Sequence, residues 1–560
     1  MPDVGGRMEA VAPQRSLFGP DYLRMAAVGL VAVAVHGWLI ANTAVTARDG
    51  IGFARYALAL QTPAASVAPP DENRTALDVI KDEKQHHPPG YPVAVWATAK
   101  VVHRVAPGLP LPDSMLLATQ LVSAAAGVLL VVPIYLIGRV LFGRNVGFAA
   151  ALLFETLPVP ARVTSDGMTE GLYLLAAATA LLLGVRAVRR PSVGGFLLCG
   201  LFAGASYLVR PEGLMIVGAV GAVAAGNGLT RRWPRDLTLG RLAALAVGAV
   251  MVAGPYVLLI GKLSQKPSAT NLTPPFVNPR SKLMGEGASA APASGGGGPV
   301  FATWWHIPDG AGPVEVVAPA VVGVFKESGK SLHYSAAVLA VFGLFALRRR
   351  VATDPGLAVL LALAGLNAAV LVAHGTTGYY VGKRTMYVSE HHTLLIALIG
   401  CEFAAAGLAA LPRFGRGRVV PAVLLLAVVA ASLPATLRPL HDNREGHKHA
   451  GRWLKGVLEE HETRGEPVTV IDPFCWAEWY AGRSLHCIPP DSKDARVRYS
   501  ILDRKDREND HERLPRFEQA KAVSAAGKIV YWWPETVPEE QAEVRVYKTV
   551  GPSDAEQGGK

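Results

Sequence analysis

The sequence contains few charged residues for its length. Of its 560 residues only 18% are Asp, Glu, Lys or Arg, whereas 51% are hydrophobic and the mean hydropathy is +0.28. Soluble domains carry about 25% charged residues. The composition therefore excludes an ordinary soluble enzyme and indicates a membrane protein.

Cysteine is also scarce, and a cleavable signal peptide is missing. The four cysteines do not form a metal-binding framework. Cys199 and Cys401 lie in apolar stretches, where they act as packing residues, whereas Cys475 and Cys487 lie in a polar tail where a disulfide is one alternative. Residues 22–42 lack the short apolar core and small-residue cleavage site of a signal peptide, so we predict an uncleaved anchor.

Long apolar runs are abundant. A hydrocarbon core about 30 Å thick requires about 20 apolar residues per helix, and by this criterion we predict about eleven transmembrane helices. They cover residues 22–42, 114–137, 146–162, 167–185, 194–209, 213–229, 241–261, 333–347, 355–373, 391–411 and 419–436.

Arginine residues occur in alternate connections between these runs. They are Arg139, Arg144, Arg186, Arg189, Arg190, Arg231, Arg232, Arg235, Arg348, Arg349, Arg350, Arg413, Arg416 and Arg418. The positive-inside rule places these connections in the cytoplasm, so residues 43–113, 262–332 and 437–560 face outward. Much of the net charge of +11 is thereby explained as a topology signal, and we predict no nucleic-acid site.

The tail after residue 437 has a different composition. The stretch "HKHAGRWLKGVLEEHETRG" predicts an amphipathic helix, and "PVTVID", "KIVYWW" and "EVRVYKTV" predict strands. We therefore predict an all-α polytopic membrane protein with a small extracytoplasmic α/β domain. Its parts are a cytoplasmic N-terminus (1–21), a transmembrane domain (22–437) and the soluble domain (438–560).

Polar residues that could carry chemistry collect in the first outer segment. Asp49 precedes "IGFARYALAL", which has the spacing of a short interfacial helix. The stretch "KDEKQHHPPGYP" follows, and its prolines fix the chain at the rim of the bilayer. Lys81 and Lys84 could bind a phosphate there, and Glu83 with His86 could hold a divalent ion. A solvated charge run is the alternative, and so few ligands do not form a metal signature.

Two further motifs lie at outer helix ends. In "TSDGMTEGLYLL", Asp166 and Glu170 are four residues apart on one predicted helical face, although Asp166 could simply cap the helix. Glu170 and Glu155 lie within apolar runs, where an acid is costly unless it faces a cavity or a cation. In "YLVRPEGL", Arg210 is a natural partner for Glu170 or for a lipid-linked phosphate.

These motifs, in this order and on the predicted outer side of the membrane, resemble those of the GT-C glycosyltransferases over residues 20–440. The resemblance is to the protein O-mannosyltransferase and aminoarabinose transferase group, which uses polyprenyl-phosphate sugars. It implies that Asp49 is the catalytic base, although Gly50 stands where many members carry a second acid, which leaves the acceptor type open. The donor phosphate and sugar would be bound by Lys81, Lys84, His86, His87, Asp166, Glu170, Arg210 and Arg384.

The resemblance implies transfer of a sugar from a polyprenyl phosphate to an acceptor hydroxyl or amine, with inversion at the anomeric carbon. We expect a glycan, lipid or protein acceptor, contact with membrane lipids, and a location in a bacterial inner membrane. No cofactor is required for this chemistry, and a divalent metal is an open alternative. Two other functions remain: a transporter or lipid flippase that uses Glu155 and Glu170, and a polysaccharide polymerase or ligase.

Overall fold

Most of the chain is helical. The structure is a computed structural model that describes residues 21–66, 70–82, 87–263, 313–380, 388–411, 419–483, 485, 495–504 and 515–551. Its first eleven helices are α1 (Asp21–Ala41), α2 (Arg48–Gln61), α3 (Ala76–Lys81), α4 (Gly90–Val105), α5 (Leu111–Phe142), α6 (Arg144–Thr156), α7 (Pro158–Ser165), α8 (Glu170–Arg189), α9 (Val193–Tyr207), α10 (Leu214–Leu229) and α11 (Arg235–Ile260). They are followed by α12 (Pro313–Ser331), α13 (Ser335–Ala346), α14 (Arg348–Val351), α15 (Pro355–Tyr380), α16 (Leu394–Ala410), α17 (Val420–Thr436), α18 (Glu445–Thr463), α19 (Trp476–Tyr480) and α20 (Pro515–Ala526).

The apolar helices form a membrane-spanning bundle. Within the described ranges, seven helices are long and apolar enough to cross a bilayer, and two bent pairs, α6–α7 and α12–α13, raise the number to nine. Each of the eleven predicted spans overlaps one of these helices or pairs, or one of the shorter apolar helices α9 and α17. The predicted polytopic all-α class is confirmed. The predicted count of eleven includes α9 and α17, which have 15 and 17 residues and fall short of the length criterion.

Two predicted segments have a different course in the structure. The run 146–162 is not one helix, because α6 and α7 meet at an angle of 64°. Pro158 starts α7 and forces Leu157 into an extended conformation, which ends α6. The predicted outer loop 262–332 includes helix α12, which turns by 107° into α13. Hydropathy missed α12 because of charges such as Lys330 and Glu327, which pair with each other at 2.8 Å.

Charged side chains tie several helices together at one end of the bundle. The Asp21 carboxylate lies 3.1 Å from the Arg139 guanidinium and 3.0 Å from that of Arg144. At the same end, Arg189 of α8 pairs with Asp354, which precedes α15, at 3.5 Å. Three of the arginine connections that their alternation assigned to one side, those with Arg139 and Arg144, with Arg189, and before α15, therefore do meet. We call this end, defined by these five residues, the arginine cluster.

The C-terminal region forms a small α/β domain, as predicted. Its strands are β1 (Val468–Ile471), β2 (Val497–Asp503), β3 (Lys528–Trp533) and β4 (Val544–Val550), in the order β1-β2-β4-β3. Strand β2 pairs in parallel with β1 and antiparallel with β4, and β4 pairs antiparallel with β3. The sequence analysis missed β2. It is a central strand with both faces buried, through Tyr499 on one side and Leu502 on the other, so it lacks the alternation of a half-exposed strand.

Cys475, one of the two cysteines for which a disulfide was an alternative, is not in a disulfide. Cys475 has a free thiol that is buried before α19, and Cys487 lies outside the described residues. Burial raises the pKa of the Cys475 thiol. The thiol is therefore protonated and unreactive near neutral pH.

A buried histidine lies where α18 packs against the segment before α19. The His447 side chain is fully buried, and its ring lies 5.4 Å from that of Trp476 and 6.2 Å from that of Phe474. Burial lowers the pKa of His447 to about 4, although Asp472 acts in the opposite direction. The imidazole is therefore neutral in the folded domain at neutral pH.

We expect this domain to lose stability as the pH falls from about 6.5 to about 4. In this window the unfolded chain binds a proton at His447 and the folded domain does not, so acid favours unfolding by up to about 3 kcal/mol. Thermal unfolding of the full chain, followed by tryptophan fluorescence between pH 7 and pH 4, measures this loss. The variant His447→Gln should lose less stability over the window, and an equal loss in both proteins would contradict the assignment.

Candidate functional site

Helix α2 places Asp49 at the end of the bundle opposite the arginine cluster. Helix α1 starts in that cluster and ends at Ala41, a few residues before α2. The helix predicted for "IGFARYALAL" is present, and it buries residues that include Ile51 and Leu58. Asp49 lies in its first turn and is half-buried. The helix dipole favours a negative charge at this position.

The segment between α7 and α8 lies directly against this turn. The Ala47 N–H donates to Asp166 Oδ1 at 2.8 Å, and a Cβ atom added to Gly50 would lie 3.0 Å from the Gly167 carbonyl oxygen. The prediction that Asp166 and Glu170 share one helical face is wrong. Asp166 follows the end of α7 and Glu170 is the first residue of α8, with a non-helical turn between them.

The "HHPPGYP" element packs on the other side of α2. The Phe53 ring lies 5.0 Å from those of both His87 and Tyr91. The buried Tyr91 hydroxyl donates to the Thr119 carbonyl at 2.8 Å and lies 2.9 Å from Ser123 Oγ, which itself bonds the Met168 carbonyl. This chain of contacts joins α4, α5 and the segment that contains Asp166.

Gly90 brings the same element against the "YLVRPEGL" turn. Its N–H donates to the Leu208 carbonyl at 2.8 Å. A Cβ atom at this position would lie 2.5 Å from that carbonyl oxygen. Only glycine allows this approach of the two backbones.

We expect Gly90→Ala to destabilise the protein by about 1–3 kcal/mol, because the added methyl group meets backbone that cannot move aside. The thermal unfolding temperature of the detergent-solubilised protein measures the effect. Gly52→Ala is the matched control, since nothing lies within 4 Å of a Cβ atom at that helical position. The interpretation fails if both variants unfold at the wild-type temperature.

Arg210 lies between two acids. One of them is Glu170, the partner that the sequence analysis predicted. Its guanidinium pairs with Glu170 and, at 3.1 Å, with Glu212. The Arg210 side chain is only 11% exposed, and its guanidinium lies 5.7 Å from the centre of the Tyr173 ring. Burial acts against the charged form, but Glu212 and Glu170 raise the pKa of Arg210 overall. The three groups together carry a net negative charge, so Arg210 is not an excess cation here.

Both carboxylate oxygens of Asp166 are occupied. Oδ1 accepts the N–H groups of Ala47 and Gly167, each at 2.8 Å, and Oδ2 pairs with His441 Nε2 at 2.7 Å. Burial acts against ionisation, but His441 and the two N–H groups lower the pKa of Asp166 overall. Sequence reasoning missed His441. No local pattern connects two residues that are 275 positions apart.

The C-terminal domain covers this end of the bundle. Trp476 Nε1 donates to the Thr46 carbonyl at 3.0 Å, and Trp479 Nε1 donates to the Pro112 carbonyl at 3.2 Å. Asp113, at the start of α5, pairs with two basic residues of α18, one of which is Lys448 at 3.3 Å. The chain just before α2, which leads to Asp49, and the start of α5 therefore both lie against the C-terminal domain.

Glu155, the other intramembrane acid of the sequence analysis, has a histidine partner. Its carboxylate lies 3.0 Å from His36 Nε2, and His36 Nδ1 lies 2.6 Å from Ser165 Oγ. Sequence analysis could have found His36, because it is a polar residue in the middle of the first predicted span. The pair connects α1 to the bent α6–α7 unit.

Five predicted site residues have no described contact with this arrangement. Lys81 is exposed in the last turn of α3. Four others, Glu83, Lys84, His86 and Arg384, lie outside the described residues. Of the residues that the structure does describe, no group of three or more His, Cys, Asp or Glu could hold a metal ion. The predicted use of Glu83 and His86 as metal ligands therefore stays a prediction.

The sequence matches one family over part of its length. Residues 86–257, which contain His87, Asp166, Glu170 and Arg210, match the family described as dolichyl-phosphate-mannose-protein mannosyltransferase. No curated protein sequence matches the chain.

Two kinds of solved structure have a similar fold. ArnT from Cupriavidus metallidurans bound to undecaprenyl phosphate has a TM-score of 0.52 and 12% identity, and the match covers 95% of this chain and 99% of that one. The Archaeoglobus fulgidus oligosaccharyltransferase in complex with Zn and sulfate has a TM-score of 0.51 and 12% identity, and here the match covers 85% and 67% of the two chains.

The family match and the fold agree with the order of the sequence motifs. They favour a membrane glycosyltransferase over the transporter and flippase alternative. The predicted resemblance is thereby confirmed, and the chain is an integral membrane protein of the GT-C glycosyltransferase fold.

Proposed function

We propose that the protein transfers a sugar from a polyprenyl-phosphate donor to a hydroxyl or amine of an acceptor, with inversion of the anomeric configuration. The observation that carries this proposal is a chain of contacts that joins four separate motifs. The Ala47 N–H, just before α2, bonds the Asp166 carboxylate, the Gly90 N–H bonds the Leu208 carbonyl, and an ion pair connects Arg210 to Glu170. The similar ArnT structure contains undecaprenyl phosphate, which supports a lipid-phosphate donor.

In this proposal Asp49 removes the proton from the acceptor as its oxygen or nitrogen attacks the anomeric carbon. General base catalysis suits a half-buried carboxylate at a helix N-terminus that an acceptor can reach from outside. The bond from the anomeric carbon to the phosphate oxygen breaks in the same displacement, and polyprenyl phosphate leaves with the bonding electrons. One displacement inverts the configuration, so no covalent glycosyl-enzyme is formed.

The leaving phosphate needs positive charge rather than a general acid. We assign this role to Lys81, Lys84 and Arg384, because Arg210 is already neutralised by Glu170 and Glu212. Arg210 could bind the phosphate only if the donor phosphate displaced the carboxylate of Glu212, the more exposed of its two partners. The reaction itself requires no cofactor, and a divalent ion at Glu83 and His86 would add to the positive charge.

We place the site on the outer side of a bacterial inner membrane. Asp49, Asp166 and Arg210 lie at the end of the bundle opposite the arginine cluster, and arginine-rich connections stay in the cytoplasm. The acceptor then approaches from outside, where it meets the first outer segment and the C-terminal domain. A glycan, a lipid or a protein fits this geometry equally well.

Transfer in proteoliposomes tests the proposal. The purified protein is reconstituted with radiolabelled undecaprenyl-phosphate mannose or undecaprenyl-phosphate arabinose and with a membrane extract that supplies acceptors. We expect label to pass to an acceptor while unlabelled undecaprenyl phosphate accumulates. If the intact donor only crosses the bilayer, the protein is a flippase. Lys455→Ala, at a surface position of α18, is the control that should transfer normally.

A further inference from the structure

The sequence resemblance assigned Asp166 to the donor site, but its contacts in the structure point elsewhere. The side chain is only 6% exposed, and both of its oxygens already have partners. Three of the four lone-pair sites of the carboxylate are thus filled, and burial restricts the access of a ligand to the fourth. These contacts instead hold two other parts of the chain in place.

One of them fixes the start of the helix that carries Asp49. Ala47 is the residue immediately before α2, and no side chain caps this helix end. Its N–H bonds to Asp166, and its carbonyl accepts the Gly50 N–H at 2.9 Å. Asp49 lies between these two anchored positions. A shift of Ala47 would therefore move the Asp49 carboxylate directly.

The other contact connects Asp166 to the C-terminal domain. His441 follows Leu440, whose carbonyl accepts the Ala44 N–H at 3.2 Å in a short bridge beside Thr43. His441 has a left-handed backbone with φ of 52°, which turns the chain after this bridge. The same short stretch of chain thus binds the segment before α2 through its backbone and Asp166 through its imidazole.

We propose, on the basis of the function proposed above, that Asp166 and His441 form a positioning pair that orients Asp49 without touching the donor. Asp166 anchors the first turn of α2, and His441 fixes the second oxygen of Asp166 and so its rotamer. The neighbouring charged groups include Arg162, one turn earlier on α7, and Arg438 and Asp442, which both lie close to Arg162. The C-terminal domain thereby takes part in catalysis although it supplies no group that reacts.

Steady-state kinetics of Asp166→Ala test this inference. Displacement of a catalytic group by about 1 Å reduces the rate about 100-fold, so we expect kcat to fall about 100-fold while the donor KM changes less than threefold. A higher donor KM with unchanged kcat would show that Asp166 binds the donor, which overturns the inference. Wild-type kinetics in this variant would overturn it as well.

His441→Ala provides a second variant that is safe for folding, since this side chain is 30% exposed. We expect kcat to be about tenfold lower in His441→Ala, because one charge-assisted hydrogen bond is lost. In His441→Gln we expect kcat to recover, because the glutamine amide can still donate to Asp166. Lys455→Ala again serves as the control. If glutamine is no better than alanine, a positioning role through this hydrogen bond is wrong.

A measurement that does not depend on activity separates this inference from the proposed function. Hydrogen exchange of the backbone amides of residues 45–52 should be faster in His441→Ala than in the wild type, because one of the anchors of this segment is loosened. Unchanged exchange overturns the positioning role even if the enzyme is active. Faster exchange in a protein that transfers no sugar supports the anchor and contradicts only the proposed reaction.

Discussion

Asp49→Asn is expected to reduce sugar transfer by about 10²- to 10⁴-fold, the usual contribution of a general base. The substitution preserves the size of the side chain and one acceptor oxygen but removes its charge and its ability to accept a proton. Because Asp49 is proposed to contact the acceptor rather than the lipid phosphate, binding of the donor should be unchanged. The two measurements are transfer from radiolabelled undecaprenyl-phosphate sugar and equilibrium binding of the same donor.

Asp71→Asn is the matched control, because it makes the same chemical change at an exposed position of the same outer segment. It should transfer at the wild-type rate. If Asp49→Asn transfers as well as Asp71→Asn, Asp49 is not the base. If Asp49→Asn instead loses donor binding in parallel with transfer, the residue belongs to the donor site.

Arg210→Ala is expected to destabilise the protein by about 3–5 kcal/mol, the usual effect of removing one partner from a buried ion pair. Glu170 is 3% exposed and would remain as a buried acid without its cation. The unfolding temperature in detergent should fall by several degrees. Arg464→Ala, which breaks an exposed pair with Glu460 on α18, should change stability by less than about 1 kcal/mol.

A double variant separates the two contributions of Arg210. In Arg210→Met/Glu170→Leu both charges are replaced by apolar groups, and such replacements restore much of the stability lost when one partner is removed. We expect its unfolding temperature to lie above that of Arg210→Ala. If the double variant is stable yet binds no donor, Arg210 contributes to the site as well as to the fold. Equal unfolding temperatures for Arg210→Ala and the wild type would refute the stabilising role.

The sequence was informative where a physical pattern is local. Apolar length located the spans, and the spacing of "IGFARYALAL" predicted α2. Because Glu170 lies within an apolar run, the sequence also predicted that this acid has a cationic partner, and Arg210 is that partner. In the first two cases neighbouring residues in the sequence decide the structure, and in the third the position of Glu170 in an apolar run was enough to require a cation, although Arg210 is 40 residues away.

Sequence reasoning failed where the deciding contact is distant or depends on backbone geometry. Nothing near Asp166 in the sequence indicates that His441 fills one side of its carboxylate. Hydropathy likewise predicted one continuous helix across Pro158. The run stays apolar there, although the helix axis turns by 64°. The shared helical face of Asp166 and Glu170 was wrong for a similar reason, because α7 ends at Ser165 and residues 166–169 form a non-helical turn before α8. Gly167 packs closely there, since a Cβ atom on it would lie 2.4 Å from Thr119 Oγ1.

The hydrogen bond from Trp476 to the Thr46 carbonyl has a consequence for biosynthesis. It joins residues that are 430 positions apart, so the segment before Asp49 cannot be enclosed until most of the chain has left the ribosome. In the same way, Asp166 can gain its His441 partner only after 275 further residues have been made. The bundle can insert into the bilayer while translation continues, whereas the site is completed only by the C-terminal domain, which is made after the membrane-spanning helices. We therefore expect nascent and prematurely terminated chains to occupy the membrane without consuming lipid-linked sugar.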